Sequence, residues 1–591
     1  MPRLQARAQR EFHARIQHRR LRPSVSTTVT EPAAAKASNP TATWYTQALL
    51  ALLTALLLDL CFPLAGPMPA WQGAIAWIAL VPLLFAVLRP RAFAQRRYLR
   101  NIALAGYLSG IVWYVLNSYW IYRTMNYYAG VPPSGAAGIL LLYSLVLGLY
   151  FGLFAWGLAL IRKRLGLIPA LCLAPILWPA VEILAYHLTR VPWDQLGYSQ
   201  VDNFWLTRIA PWAGTYGVAT VIVAGNVLFT AALLKAPRFP FVFARKIPAQ
   251  LCWLATALIF CGVLQIGSWT PPPPAPTSAT ALLLQVDLGT QNIPRVTGFT
   301  WQDDMARFSA ASLQDCRPYL PGIPHLVDHE IQPNCTASTL DPDLIVWPEA
   351  PSPWIDEDPS FRAAMGHLAQ TTHAGIIAGD IAQQYFLRNG KPASATYNSA
   401  SVFAANGKYI GRYDKIHLVP FGEYVPYQRF FSWAGALVDQ IGTFTHGWRY
   451  LTFPIQSHRY GIFICYESIF SNEVRIFAKN GAQVFVNISD DAWYGNTSAP
   501  WQHLNMARMR AIENHRWILL DTNNGITSAI DPEGRVTQSI PRNQFSALVA
   551  RYGFESDLTF YTRYGDIYAF TCAAISLAAL ALAATRRRKS A

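Results

Sequence analysis

The 591-residue sequence predicts a multi-pass α-helical membrane domain of eight spans joined to one large α/β domain. Three observations carry that expectation. Apolar stretches near the ~20 residues that a helix needs to cross a bilayer fill the first half and recur once at the C-terminal end. Short apolar runs bounded by polar or glycine residues fill the stretch between, as buried strands do. The composition is 52% hydrophobic and 14% charged, with a mean hydropathy of +0.19, whereas soluble domains carry about a quarter charged residues. An ordinary soluble protein is thereby excluded. The 13% aromatic content excludes disordered and fibrous classes as well.

In chain order, residues 1–42 hold eight Lys/Arg and two Glu and are expected to be a disordered basic arm. Seven apolar stretches follow, near 45–65, 70–88, 101–122, 136–161, 165–187, 209–234 and 249–269, and together they define a membrane domain over 43–270. The first lies too late in the chain, and is too long, for a cleaved signal peptide. Basic residues gather after the even spans: Arg89 to Arg100 after the second, Arg162 to Arg164 after the fourth, Lys235 to Lys246 after the sixth. Short Lys/Arg-rich loops stay cytoplasmic, so both termini are expected inside and the segment after span seven outside, in the periplasm of a bacterium. A Pro-rich linker, 271–279, reads as a stiff spacer. The α/β domain occupies 280–563, the eighth span 564–585, and a basic cytoplasmic tail 586–591.

The net charge of +15 invites a nucleic-acid reading, but two-thirds of the excess lies in the two tails, and no basic groove motif accompanies it. The eight cysteines include no CxxC pair, which removes zinc ribbons and thioredoxin-like motifs. Cys316 and Cys335 are expected to pair if their segment faces an oxidising compartment. His325 and His329 have metal-ligand spacing without the HExxH order of a zinc hydrolase, and surface positions explain them better. GxSxG, GxGxxG and P-loop motifs do not occur.

Several predicted strands end in a reactive group. DLIVWPE ends at Glu349, YGIFICYE at Cys465 and Glu467, AQVFVNISDD at Asp490 and Asp491, and Lys415 follows the GKYIGRY strand. In α/β sheets, sites gather beyond the carboxyl ends of strands. Glu349, Lys415 and Cys465 can therefore converge into a cysteine-nucleophile site with a carboxylate base and a cation. Taken singly, each has an ordinary explanation: a turn carboxylate, a solvated lysine, a packed core thiol.

WPE at 347–349, YDK-x-HLVPFGEYVP at 413–426 and ICYE at 464–467 resemble the Glu, Lys and Cys motifs of the nitrilase superfamily. Together with DDAWYGNTSAPWQHLNMARMRAIENHRWILLDTNNG at 490–525 and PWDQLGYSQ at 192–200, they resemble its membrane-bound branch, the bacterial apolipoprotein N-acyltransferases. The resemblance spans nearly all of 43–585. It implies an α-β-β-α sandwich for the α/β domain and a place in the bacterial inner membrane. It also implies Cys465 as nucleophile, Glu349 as general base and acid, Lys415 as oxyanion stabiliser and Glu423 as a second required carboxylate. Tyr466 and Glu467 would support the nucleophile. The implied partners are a phospholipid acyl donor, a diacylglyceryl apolipoprotein acceptor and the bilayer, with the chain acting as a monomer and with no cofactor or metal.

Trp301 is the candidate for contact with the acyl chain, although VDLGTQNIPRVTGFTW puts more residues before it than the family's lid-like segment has. Asp490 stands where the family usually has Asn, and 310–340 looks like an insertion. Two rival readings remain at this point. A membrane-anchored amidase would discharge its thioester to water, and a transporter with an outer sensing domain would line a path with charges inside its spans. The spans offer few such charges, notably Asp59 and Glu182.

Overall fold

A computed structural model describes residues 40–89, 97–237, 248–288, 301–313, 342–388, 390–420, 422–424 and 444–586. Most of the expected basic arm, nearly all of the 310–340 insertion with Cys316, His325, His329 and Cys335, and the last five residues of the tail lie outside these.

The apolar stretches fold as helices α1 (Pro40–Asp59), α2 (Gln72–Leu88), α3 (Tyr98–Asn117), α4 (Pro133–Leu165), α5 (Leu167–Thr189), α6 (Thr207–Leu233) and α7 (Ala249–Trp269), with a last one, α12 (Ile567–Thr585), closing the chain. Six are long and apolar enough to cross a membrane; α1, apolar from Trp44, and α2 are shorter. Helix α2 also carries an internal break. Its helical pieces Ala76–Ala79 and Val81–Leu88 break at Leu80. Asn226 of α6 serves both sides of the break, accepting from the Leu80 N–H at 2.8 Å and donating to the Ala76 carbonyl at 2.8 Å. Backbone groups in apolar surroundings need such partners. Helices α3 and α4 approach through small residues: a Cβ on Gly110 would stand 2.8 Å from the Gly148 Cα, and one on Gly106 would stand 2.6 Å from the Phe151 carbonyl oxygen. Small-xxx-small spacing permits that contact.

From Ala279 the pattern changes to two six-stranded mixed sheets. The first has the order β12-β1-β2-β3-β4-β5, built from β1 (Ala279–Gln285), β2 (Leu344–Trp347), β3 (Gly375–Arg388), β4 (Lys391–Phe403), β5 (Tyr409–Asp414) and the distant β12 (Ser546–Tyr552). The second runs β11-β10-β9-β8-β7-β6, from β6 (Thr452–Ile455), β7 (His458–Ile464), β8 (Val484–Ser489), β9 (Trp517–Thr522), β10 (Ser528–Ile530) and β11 (Val536–Ser539). Within each sheet three central strands are parallel: β1, β2 and β3, then β7, β8 and β9.

Strand alternation builds the layers. Leu283, Val346, Ile377 and Val402 join one core with Ile462, Val486 and Leu519 of the other sheet. Their neighbours Leu282, Leu284, Ile345, Trp347 and Ile376 face the opposite way, onto Phe308 of α8 (Trp301–Leu313) and Phe361 and Met365 of α9 (Pro359–Thr372). Period-two patterning thus fills both faces of the first sheet. Helices α10 (Ser471–Lys479) and α11 (Ala499–Asn514) accompany the second sheet. The α-β-β-α arrangement is as expected.

The Pro-rich linker is fastened to the α/β domain. Arg535 donates to the Pro272 and Pro273 carbonyls at 2.9 and 3.0 Å, which straps the segment to the α/β domain. Proline carbonyls have no adjacent N–H of their own, and a guanidinium fork meets two of them at once.

Every residue of α11 except Trp501 is buried, because the helix is covered from both sides. Segment 190–206 of the helical half lies beneath it. Trp193 Nε1 donates to Gln502 Oε1 at 2.9 Å, and Gln502 Nε2 donates to the Asn117 carbonyl at 3.1 Å. Arg510 and Glu513 form an ion pair of 2.7 Å with both side chains fully buried. Arg510 also donates to the Ile469 carbonyl and the Tyr198 hydroxyl, and Glu513 accepts from the Thr215 N–H at 3.1 Å. A buried ion pair is tolerable only when its remaining donors and acceptors are satisfied in this way.

Candidate active site

Glu349, Lys415, Glu423 and Cys465 come from four different segments and meet in one buried cluster. Glu349 lies just past β2, Lys415 immediately after β5, and Cys465 immediately after β7. Lys415 Nζ sits between two carboxylates, 2.9 Å from Glu349 Oε1 and 3.0 Å from Glu423 Oε1. Its side chain is 1% exposed, so the two anions make its burial possible. Burial alone would lower the ammonium pKa; Glu349 first, then Glu423 and Cys465, outweigh it and hold the lysine charged.

Asn398 of β4 completes the clamp. Its Nδ2 donates to Glu349 Oε1 and to Glu423 Oε1, each at 2.7 Å. The other oxygens are held by backbone: Glu349 Oε2 accepts from the Asp490 N–H at 2.8 Å, and Glu423 Oε2 from the Val419 N–H at 2.8 Å. Both carboxylates are thus fixed at each oxygen. Sequence reasoning missed Asn398, since a lone asparagine in a strand carries no motif.

Cys465 occupies the turn from β7 into the 3-10 helix Cys465–Ile469, with φ of +53°. A non-glycine residue in that region is strained by about 1–3 kcal/mol, and the surroundings must hold it there. Its carbonyl accepts from His503 Nε2 at 3.1 Å and from Asn487 Nδ2 at 3.5 Å. His503 in turn lies 3.3 Å from Asp491 through Nδ1 and 2.7 Å from the Ser468 hydroxyl through Nε2. Burial would lower the imidazole pKa, but Asp491 outweighs it and raises the value. Asn487 and His503 are further residues that the sequence reading did not single out, whereas Asp491 stands at the strand end it did mark.

Glu467 supports the same turn. Oε1 accepts from the Ile416 and His417 N–H groups at 2.7 and 3.0 Å, Oε2 from the Ile464 N–H at 2.7 Å, and the Tyr413 hydroxyl reaches both oxygens. One carboxylate therefore ties the segment after Lys415 to the segment before Cys465. Tyr466 stacks at 6.4 Å on Trp193 of the helical half, and Trp193 also stacks on His503 at 6.5 Å. Trp301 begins α8, and its side chain lies outside what the structure describes.

Cys465 is 6% exposed. Burial pushes its pKa well above the ordinary thiol value and Glu349 pushes it further, while Lys415 pulls it down. The resting group is accordingly a neutral thiol beside a carboxylate that can take its proton. Alkylation of Cys465 by iodoacetamide should therefore accelerate with pH and reach no plateau by pH 9. A plateau near neutrality, read by mass spectrometry of the labelled peptide, would instead mean a preformed thiolate.

The family model for carbon-nitrogen hydrolases matches residues 322–551, which contain the whole cluster, and that is the class to which the α/β half belongs. The helical half matches a second model, the apolipoprotein N-acyltransferase N-terminal domain, over 43–228. The chain is similar to apolipoprotein N-acyltransferases along its length. The relative from Geobacter metallireducens is 32% identical over 547 residues, covering 92% of this chain and 96% of that one; the Azotobacter vinelandii relative is 30% identical, covering 91% and 95%. The chain belongs to the apolipoprotein N-acyltransferase family, and is an acyltransferase by that membership. Among solved structures, nitrilase-superfamily member Nit3 of Saccharomyces cerevisiae aligns with a TM-score of 0.32 and 16% identity over 47% of this chain and 91% of that one.

Proposed function

We propose that the enzyme moves a fatty acyl chain from a phospholipid to the α-amino group of the N-terminal diacylglyceryl-cysteine of an apolipoprotein, through a thioester on Cys465. The observation that carries this reading is the Glu349–Lys415–Glu423 clamp set beside a buried thiol, in a chain of this family.

Glu349 takes the thiol proton as the sulfur attacks the ester carbonyl carbon. Lys415 and the Tyr466 N–H face the oxyanion, where fixed donors act most strongly. The carbon–oxygen bond breaks, Glu349 returns its proton to the departing lysophospholipid oxygen, and the acyl group stays on sulfur. The amine of the acceptor then attacks the thioester, Glu349 takes one of its protons and delivers it to Cys465 as the carbon–sulfur bond breaks, and the amide leaves. Glu423 keeps Lys415 in place, and Glu467 and Tyr466 shape the turn that carries the thiol. Trp301, at the start of α8, is assigned to the acyl chain. Ping-pong kinetics follow from the covalent intermediate.

In the membrane, all eight apolar helices cross, α1 and α2 included. The domains are then 43–270 with seven spans, the strapped linker 271–279, the catalytic domain 280–563 in the periplasm, and the last span at 564–585, with both termini cytoplasmic. The chain acts as a monomer in the inner membrane. Asp59 and Glu182 do not line a conduit in this reading; Glu182 Oε1 accepts from the Leu196 N–H at 3.1 Å and fixes segment 190–206.

The test is peptide mass spectrometry after incubation of the full-length protein with phospholipid. A hydroxylamine-labile acyl group on Cys465, discharged onto a diacylglyceryl peptide, is the expected result. A thioester lost only to water would favour the hydrolytic amidase, and no adduct on the folded protein would overturn both.

A further inference from the structure

Gly495 ends the turn that begins at Asp490, with φ of +52°, and a Cβ there would stand 2.6 Å from the Tyr128 hydroxyl. The phenol tip thus rests directly on this turn. Tyr128 comes from the helical half, where its ring lies edge-on to Trp493 at 6.4 Å, and Thr124 Oγ1 donates to the Trp493 carbonyl at 3.0 Å. From the catalytic half, Arg542, between β11 and β12, donates through Nη2 to the Gly495 carbonyl at 2.9 Å. Its Nε is buried with no hydrogen-bond partner among the described residues.

Burial pulls the Arg542 guanidinium below its ordinary pKa, and the carboxylate that opposes this, Asp491, is already engaged by His503. Arg123, exposed at the end of the helical turn Trp120–Arg123, acts on the Tyr128 phenol. Arg542 and the Tyr128 hydroxyl therefore meet at Gly495, and Arg123 of the helical half adds a second positive charge acting on the same phenol. The nearby Asp490 carboxyl accepts from Asn523 Nδ2 and the Ala492 N–H, and burial raises it to about 7. At its first residue the same turn donates the Asp490 N–H to Glu349. Arg542 thus sits at one end of a turn whose other end holds Glu349, on the side that Tyr128 and Thr124 of the helical half contact.

We propose that Arg542 and Arg123, with the Tyr128 hydroxyl, bind the phosphodiester of the acyl donor and thereby place its ester carbonyl at Cys465. The inference rests on the reading of a phospholipid as donor. A guanidinium fork matches the paired oxygens of a phosphodiester, and only a few bonds separate that phosphorus from the glycerol ester. A diacylglyceryl-cysteine carries no phosphate, so these residues act in the first half-reaction and leave the second alone.

The experiment compares Arg542→Gln, Arg542→Lys and Arg123→Gln in the full-length protein, with phosphatidylglycerol in mixed micelles and with p-nitrophenyl butyrate as an uncharged donor. Arg542→Gln should raise KM for phosphatidylglycerol about tenfold, with Arg542→Lys recovering part of the loss. Arg123→Gln, at a more exposed position, should raise it about threefold. Acylation by the uncharged ester, and transfer from preformed thioester to a diacylglyceryl peptide, should stay within about twofold. Equal losses with both donors would make Arg542 a structural residue and overturn the proposal, as would an unchanged KM. The unsubstituted protein separates this from the parent reading: thioester from the ester but none from phosphatidylglycerol would refute phospholipid as donor itself.

Discussion

Glu349→Gln is expected to slow acylation of Cys465 by about 10,000-fold, the upper end for removal of a single general acid–base group. The upper end applies because, in the proposed mechanism, one carboxylate serves as base and as acid in both half-reactions, and because the thiol it would deprotonate is held neutral by burial. The amide keeps the shape of the side chain, and its oxygen can still accept from Lys415 and Asn398. Its NH2 group, however, would meet the Asp490 N–H that now donates to Glu349 Oε2 at 2.8 Å. That mismatch costs about 1–3 kcal/mol, which lowers stability without unfolding the chain. Single-turnover acylation with phospholipid micelles, quenched and read as thioester, measures the loss. A decrease of less than about a hundredfold would remove Glu349 from the role of base.

Lys415→Met should have the second-largest effect, of a different kind. Methionine fills a similar volume but leaves Glu349 and Glu423 facing each other across an apolar side chain, with Asn398 as their one shared donor. Removing one partner from a buried ionic cluster costs about 3–5 kcal/mol, and losing an oxyanion donor costs about 100- to 1,000-fold in rate. The two losses separate in the double variant Lys415→Met/Glu423→Gln. Taking away the second anion should restore much of the thermal stability in detergent and none of the activity. Recovery of both would mean that Lys415 is only a structural counter-ion.

What was legible in the sequence follows from what each feature depends on. Apolar length and basic loops located the helical half because partition into a bilayer is a property of a segment by itself. Glu349, Lys415 and Cys465 were legible because each sits at a strand end inside a run specific enough to resemble one family. Asn398 and His503 were not, since their importance depends on partners distant in the chain: Glu349 and Glu423 for one, the Cys465 carbonyl and Asp491 for the other. The pairing of β12 with β1 joins Ser546–Tyr552 to Ala279–Gln285, a long-range register that no local pattern announces. The break in α2 was equally hidden, because its compensation comes from Asn226, far along the chain. The linker's attachment was hidden for the same reason: proline content reports stiffness, while the strap comes from Arg535, far along the chain.

Trp193 packs on both Tyr466 and His503, and Arg510 and Glu513 bind partners from both halves of the chain. The helical half is therefore a wall of the candidate active site, not a mooring for it. An anchor can be exchanged for another anchor; a wall cannot. Severed from its helices, the hydrolase-like half would present an ion pair built for dryness to bulk water, and the floor behind the Cys465 turn would be missing. The two halves form one device, and a change on either side of this contact must be matched on the other.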